Sequence, residues 1–385
     1  MKRALSGLLP PSRKSGEPAL SSLLFDALAR AAADDPDTLT HGFHVWPARM
    51  HRSIAAAVLE GLATPGGLVV DPFCGGGTVL VEARAHGRAA VGVDLNPLAL
   101  RVCEVKTDLR DAAARARFAA SAEAVVLASK ARVKARAPSR APVSRALAAR
   151  WDAHVLKELA GLREEILAVN DVRDRRALEV VLSAILTKVS RARSDTDTRE
   201  SSKRIGRYIP TEIFAKKAHE LVERWGALEA AVASPAPLSL VEHDALRLHE
   251  VVKAGSASLI LSSPPYGGTY DYSSHHAARM PWLGLDDRAL GRGELGARRR
   301  VTAQAWDREV EDMLSAMARA LAPGAHAVLV MGDAEVAGAR IQADLQLARL
   351  AARAGLRVVA SASAPREDRR GGAARDEHLV ALTRV

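Results

Sequence analysis

Gly67-Leu-Val-Val-Asp71-Pro-Phe-Cys-Gly-Gly-Gly-Thr78 is the stretch on which the fold turns. Leu68, Val69 and Val70 read as a short buried strand running into Asp71, and the helical pattern Val79 to His86 follows the glycines. Strand, glycine loop and helix N-terminus in that order make a corner suited to a nucleotide-like ligand. Glycines let backbone N–H groups approach such a ligand, and the helix start adds partial positive charge. A tight strand-to-helix turn without a ligand is the alternative reading of this stretch alone. The next strand, Ala89-Ala-Val-Gly-Val93, ends in Asp94, 23 residues after Asp71. A carboxylate at that point suits the two hydroxyls of a ribose.

A second motif, Ser263-Pro264-Pro265-Tyr266, closes the apolar run Ala257 to Leu261. Consecutive prolines fix their own φ and push the preceding residue into extended geometry. Neither proline has an N–H, which leaves the carbonyls of Ser263 and Pro264 free to accept from a ligand. Tyr266 adds a flat face on which a base could stack. The alternative is a Pro-Pro turn after a buried strand.

Around these motifs the chain divides into three parts. Residues 1–38 read as a leader, loose at first and helical from about Ser21 to Ala33. Residues 39–109 and 236–385 alternate strand and helix patterns, which argues for a doubly wound, mostly parallel α/β sheet. Strand patterns in the second part lie at Leu238–Val241, Leu259–Leu261, Ala325–Met331 and Arg357–Ala360, with helical patterns at Asp307–Leu321 and Ala339–Ala354. Residues 110–235 form a basic helical insertion with few strand signals. Within it, Lys130 to Arg150 is basic without acidic residues. Lys188 to Arg207 interleaves basic side chains with hydroxyls, a phosphate-contacting chemistry. Arg191, Arg193, Arg199, Lys203, Arg204 and Arg207 are its candidate nucleic-acid contacts, against the alternative of a solvated charged face.

The motifs Asp71 to Thr78, Val91-Gly-Val-Asp-Leu-Asn-Pro97 and Ser263 to Tyr266 together resemble the amino-methyltransferases that use S-adenosylmethionine. The similarity is greatest to the bacterial DNA methylases with an SPPY motif, especially the N4-cytosine type. Thr40-His41-Gly-Phe-His-Val-Trp-Pro47 resembles the family element that helps bind the methionine moiety, Glu242-His-Asp244-Ala245 the acidic motif near the adenine ring, and Glu377-His-Leu-Val380 the final hairpin strand. The resemblance implies a Rossmann-like methyltransferase sheet and a cofactor site at His41, Asp71, Phe73, Gly75, Gly77, Thr78, Asp94 and Asp244. It implies a catalytic tetrapeptide in which Ser263 and the Pro264 carbonyl hold the base amine, Pro265 stiffens the turn, and Tyr266 stacks. Serine at 263, where adenine enzymes of the family commonly carry Asp or Asn, favours cytosine N4. Adenine N6, an RNA guanine-N2 activity and a degenerate, non-enzymatic DNA-binding subunit remain the alternatives. About 130 residues between the second and third strands carry no family motif.

Composition sets outer limits. The 385 residues are 48% apolar and carry a net charge of +10, which favours a polyanionic partner; that this is DNA ahead of RNA is what the resemblance implies. A restriction-modification role would add a cognate nuclease as partner. Only Cys74 and Cys103 occur, which gives no metal-type spacing and no disulfide framework, and fits a reducing cytoplasm. Both read as packing residues, so methylation at cytosine carbon-5 through a thiolate is not expected. No run of eighteen apolar residues exists, so no membrane span is expected. Gly267 to His276 reads as a lid over the target base, its two histidines as loop polar groups and not metal ligands.

Overall fold

The computed structural model describes residues 7–192, 194–195, 204–268, 272–286, 288–293, 295–296, 302–367 and 375–385. Period-two alternation gives the central sheet two apolar faces. Val69, Leu259, Leu261, Val328, Val330 and Leu379 point to one side, and Val70, Ile260, Leu329, Met331, Val380 and Leu382 to the other. Each face is covered by helices, so one buried sheet separates two apolar layers.

The strands are β1 (Arg13–Gly16), β2 (Leu68–Asp71), β3 (Ala89–Asp94), β4 (Leu238–Glu242), β5 (Ala257–Ser262), β6 (Leu321–Gly332), β7 (Ala334–Val336), β8 (Ala339–Ile341), β9 (Leu356–Arg366) and β10 (Arg375–Arg384). Among the described residues they form an eight-stranded sheet in the order β1-β9-β10-β6-β5-β2-β3-β4, plus the small hairpin β7-β8. Strands β4, β3, β2, β5 and β6 run parallel; β10 is antiparallel to both β6 and β9. This is the expected mixed α/β, mostly parallel Rossmann-like architecture.

Helices α1 (Pro18–Ala33), α2 (Arg52–Leu62), α3 (Thr78–Ala85) and α4 (Pro97–Thr107) come first along the chain. Proline at the first turn of α1 and α4 and the Asn96 cap on Leu98 set two of their starts. The elements described between α4 and β4 are all helices, joined by loops: α5 (Ala112–Ala135), α6 (Arg145–Ala148), α7 (Ala153–Leu167), α8 (Val172–Leu186) and α9 (Ile209–Ala231). After β5 come α10 (Tyr272–His276), α11 (Met280–Leu283), α12 (Arg288–Gly293), α13 (Ala303–Ala320) and α14 (Ala343–Ala351). The inserted helices share one apolar cluster with Phe43, Trp46 and the α4 residues Leu98 and Val102. Phe118 meets Trp225 edge-on at 4.9 Å, and Arg110 lies 4.2 Å above the Trp225 ring.

Two expectations are corrected. Within the described part of the leader, residues 13–20 are ordered ahead of Ser21: β1 pairs antiparallel with β9, Arg13 opposite Ser363, and α1 starts at Pro18 and buries Leu20, Leu24 and Leu28 against α2. β1 is exposed at all four residues, so it has no apolar alternation to betray it. The helical pattern from Ala339 also begins late, because Ala339–Ile341 pairs with β7 and the helix starts at Ala343.

Candidate active site

The carboxyl ends of β2, β3, β4 and β5 surround a cleft of about 850 Å³, its open mouth included. Asp71, Phe73, Gly75, Thr78, Asp94, Asp244, Ser263 and Pro265 all line it, so both motifs reach a single space. Ligands of open α/β sheets bind at this end of the strands.

Asp94 organises the loop it faces. Its Oδ2 accepts from the Gly75 N–H at 2.8 Å and its Oδ1 from the Asn96 N–H at 2.9 Å. Burial pushes its carboxyl up to about 6, against the pull of those two amides. Asp71 Oδ1 accepts from Ser262 Oγ at 2.6 Å and from the Phe73 N–H at 3.2 Å. Its carboxyl stands at about 7, raised by burial, lowered by those two bonds and raised further by the Asp94 charge. Asp244 accepts from the Leu246 N–H at 2.9 Å and caps the short turn that follows β4. Thr78 Oγ1 donates to the Met50 carbonyl at 3.3 Å, which fastens the start of α3 to residues 46–50 of the cleft wall.

The glycines serve a neighbour as well as a ligand. A Cβ at Gly75 would sit 2.8 Å from Trp46 Nε1, and one at Gly76 2.9 Å from Trp46 Cβ. Gly77 caps α3 at φ +76°, and a Cβ there would meet Cys103 Sγ at 2.9 Å. Gly77→Ala is therefore expected to destabilise the fold by about 1–3 kcal/mol, a strained φ and a clash together. Chemical denaturation of both proteins measures this, and an unchanged midpoint would remove the packing argument.

His41 is not brought to the cleft. It is fully buried, its Nε2 lies 2.7 Å from Glu82 Oε1, and burial pushes it down to about 4. The segment it opens does arrive, through Trp46, Pro47, Ala48, Arg49 and Met50. Tyr266 does not offer an open face either. Its side chain is buried and its hydroxyl donates to Glu377, while Pro264 is buried and only Ser263 and Pro265 face the cleft. Leu290, Gly293 and Leu295 cover the opposite side.

Several contributors were not legible in advance. Lys106 is fully buried and donates to the Gly76 carbonyl beneath the loop, its ammonium lowered to about 7 by burial. Asn96 Nδ2 donates to His276 Nδ1 at 2.8 Å, and His276 stacks on Trp46 with ring centroids 4.3 Å apart. The end of the expected lid thus packs on the cleft wall; residues 269–271 lie outside the described residues. Cys74 and Cys103 are buried, with Sγ atoms 3.8 Å apart. The Cys103 hydrogen bond, then burial, push the Cys74 thiol well up, which is unlike a nucleophilic thiolate. Among the described residues no group of three His, Cys, Asp or Glu could hold a metal, and no helix is long and apolar enough to cross a membrane.

Of the basic candidates, Arg193, Arg199 and Lys203 lie outside the described residues. Arg204 and Arg207 are exposed. Arg191 Nε stands 3.8 Å from Asp152 and its side chain is 42% exposed. Asp195, in the same stretch, pairs at 2.9 Å with the buried Arg279, and Arg279 also donates to the Ser183 carbonyl and to Thr187 Oγ1. This links the basic stretch to the segment that follows the tetrapeptide.

Residues 25–104, from within α1 to within α4, match the family model described as DNA methylase, of the N6- and N4-amino type. The Type II methyltransferase M.MvaI of Kocuria varians is 39% identical over 72 residues, which cover 18% of this chain and 16% of that protein. The Type II methyltransferase M.MjaII of Methanocaldococcus jannaschii is 30% identical over 71 residues, 18% of this chain and 13% of that protein. The matched part thus spans less than a fifth of either relative. The resemblance to the amino-type DNA methylases lies in the stretch that holds the glycine loop, and the tetrapeptide lies outside the matched residues. Among solved structures, the rRNA methyltransferase aviRa of Streptomyces viridochromogenes gives a TM-score of 0.36 at 14% identity, over 91% of this chain and 94% of that one. TrmN of Thermus thermophilus gives 0.35 at 13%, over 87% and 49%. Likenesses at this level carry no argument about a substrate.

Proposed function

We propose that this chain is an S-adenosylmethionine-dependent methyltransferase acting on an exocyclic base amine of DNA, cytosine N4 ahead of adenine N6. One observation carries the reading: the glycine loop with Asp94 and the tetrapeptide with Ser263 line the same cleft. The donor set fits the cofactor. Each Asp94 oxygen accepts one backbone N–H and keeps a lone pair for a ribose hydroxyl. Asp244, which lines the cleft with the first residue of α3, would supply an acceptor for the adenine amino group.

When bound, the cofactor supplies an electrophilic methyl group on a sulfonium. The chain's task would be to hold an amine in line with that methyl group, so that the C–N bond could form as the C–S bond breaks, the electron pair leaving with sulfur and the surplus amine proton passing to solvent at the open mouth of the cleft. The lone pair of such an amine is delocalised into the ring. Ser263 Oγ, which faces the cleft, would accept from one of its hydrogens and help localise that pair on nitrogen. A base within a duplex must leave the stack to arrive there. The basic stretch around Arg191, Arg204 and Arg207, fastened to the tetrapeptide side by Arg279–Asp195, would hold the backbone meanwhile. A reducing cytoplasm suits the two buried free thiols.

The deciding experiment incubates the protein with methyl-labelled cofactor and either DNA or RNA, digests the product and identifies the labelled nucleoside. N4-methylcytosine in DNA is the expected result. N6-methyladenine would keep the enzyme class and move the base, label in RNA alone would move the substrate, and no label in either would end the reading.

A further inference from the structure

Behind the tetrapeptide, the ends of β6, β9 and β10 build a buried polar chain. The Tyr266 hydroxyl donates to Glu377 Oε1, and Glu377 is fully buried. Glu377 Oε2 accepts from Arg366 Nη1 at 3.4 Å. In register Glu377 stands between Gly332 on β6 and Ala364 on β9. A Cβ at Gly332 would lie 3.0 Å from Tyr266 Cε2 and 3.1 Å from Glu377 Oε2, so glycine there leaves room for both ring and carboxylate. On the cleft side, Ser263 Oγ is 3.5 Å from the Tyr266 hydroxyl.

A hydroxyl carries one proton, and its direction decides whether the oxygen can accept. Ser263 can accept from a base amine only if its own proton points elsewhere. The Tyr266 hydroxyl donates to Glu377 Oε1, so the Tyr266 proton points toward Glu377. The Tyr266 oxygen then has a lone pair left for the Ser263 proton. Burial, then the Glu377 charge, push the Tyr266 phenol well above its ordinary range, which keeps it a protonated donor. The 3.5 Å step is long, as hydrogen bonds of this kind often are before substrate enters.

We infer that Glu377 is a positioning residue: acting through Tyr266, it turns the Ser263 hydroxyl so that its lone pairs face the exocyclic amine of the target base. This rests on the methyltransferase reading and deepens it. The direction of the chain runs from Ser263 to Tyr266 to Glu377, and a carboxylate at its end is what sets that direction. Glutamine at 377 keeps shape and volume but can donate to the Tyr266 oxygen. That would turn the Tyr266 proton toward Ser263 and the Ser263 proton toward the amine, where a donor opposes the reaction.

The test compares Glu377→Gln, Tyr266→Phe, Ser263→Ala and the double variant Ser263→Ala/Glu377→Gln in single-turnover and steady-state methyl transfer. Glu377→Gln and Tyr266→Phe are each expected to lower kcat by about tenfold or more, while KM and cofactor affinity stay within about twofold. The double variant should be no slower than Ser263→Ala alone, because a relay with its end removed has nothing left to orient. A merely structural role would move melting temperature and cofactor affinity with kcat, and would leave the two losses additive. An independent arm uses NMR of ring-labelled tyrosine, in which four tyrosines give a sparse spectrum and Tyr266→Phe assigns the signal. Glu377→Gln should shift that signal in the absence of nucleic acid. Wild-type turnover in folded Glu377→Gln, additive losses, or an unmoved Tyr266 signal would each overturn the inference alone. Absence of methyl transfer by the unaltered protein would overturn the underlying reading with it.

Discussion

Replacing Asp94 by alanine is expected to weaken S-adenosylmethionine binding by about a hundredfold or more, equivalent to about 2.7 kcal/mol. Two losses combine. The ribose hydroxyls would lose the acceptor proposed for them, and the Gly75 and Asn96 N–H groups lose the carboxylate that holds the loop in shape. The strand pairing of β3 does not involve the Asp94 side chain, so the fold should persist. Calorimetric titration of both proteins decides the matter, with circular dichroism as the check on folding. A folded variant that binds at wild-type affinity would remove the proposed cofactor site.

The same carboxylate makes binding depend on pH. Burial holds Asp94 at about 6, so it is ionised above that value and increasingly protonated below it. A ribose diol donates to the ionised form, and the bound state therefore lowers the pKa. Affinity should be flat above about pH 7 and fall by up to tenfold per pH unit below 6. Asp71, at about 7, faces the same cleft but already accepts from Ser262 and Phe73. Asp94→Ala should flatten the fall below pH 6. A profile that keeps it in the variant would assign the dependence to Asp71 instead.

What was readable in advance was local. Three aliphatic residues before a glycine run and a strand ending in aspartate lie within 28 residues, from Gly67 to Asp94, and they fold into the corner they suggest. Ser263 and Pro265 could be joined to that corner only by the sheet, which sets β5 beside β2. Tyr266 shows the limit most directly. An aromatic ring after two prolines invites a stacking role, yet its partner Glu377 lies 111 residues away and draws the hydroxyl inward. Trp46 was similarly hidden, because nothing local says that the glycines at 75 and 76 make room for a ring from another segment. His41 sits in a stretch that does reach the cleft, but the buried Glu82 turns it away. β1 lacked any apolar pattern and is held at the sheet edge by backbone pairing with β9. Short-range pattern is visible in a chain; the pairing of buried polar groups across the sheet is not.

Neutralising Arg191, Arg204 and Arg207 together with glutamine is expected to weaken binding to duplex DNA about a hundredfold at 0.15 M salt, irrespective of sequence. The figure follows from counterion release. Each phosphate contact contributes a log–log salt slope of about −0.9, so three contacts contribute about −2.7, and from 1 M to 0.15 M salt that is roughly two decades in affinity. Arg204 and Arg207 are exposed, and Arg191 lies 3.8 Å from Asp152 with much of its side chain in solvent, so glutamine at these positions should cost the fold little. Arg279–Asp195 is left untouched and keeps the stretch in place beside the segment after the tetrapeptide. Cofactor affinity should not change, since none of the three lines the cleft. Base preference should also survive, because phosphate contacts position a duplex without reading it. Fluorescence anisotropy across a salt series measures both quantities. A variant with wild-type affinity and an unflattened slope would leave the helical insertion without a nucleic-acid role, and the net charge of +10 would then have to act elsewhere on the surface.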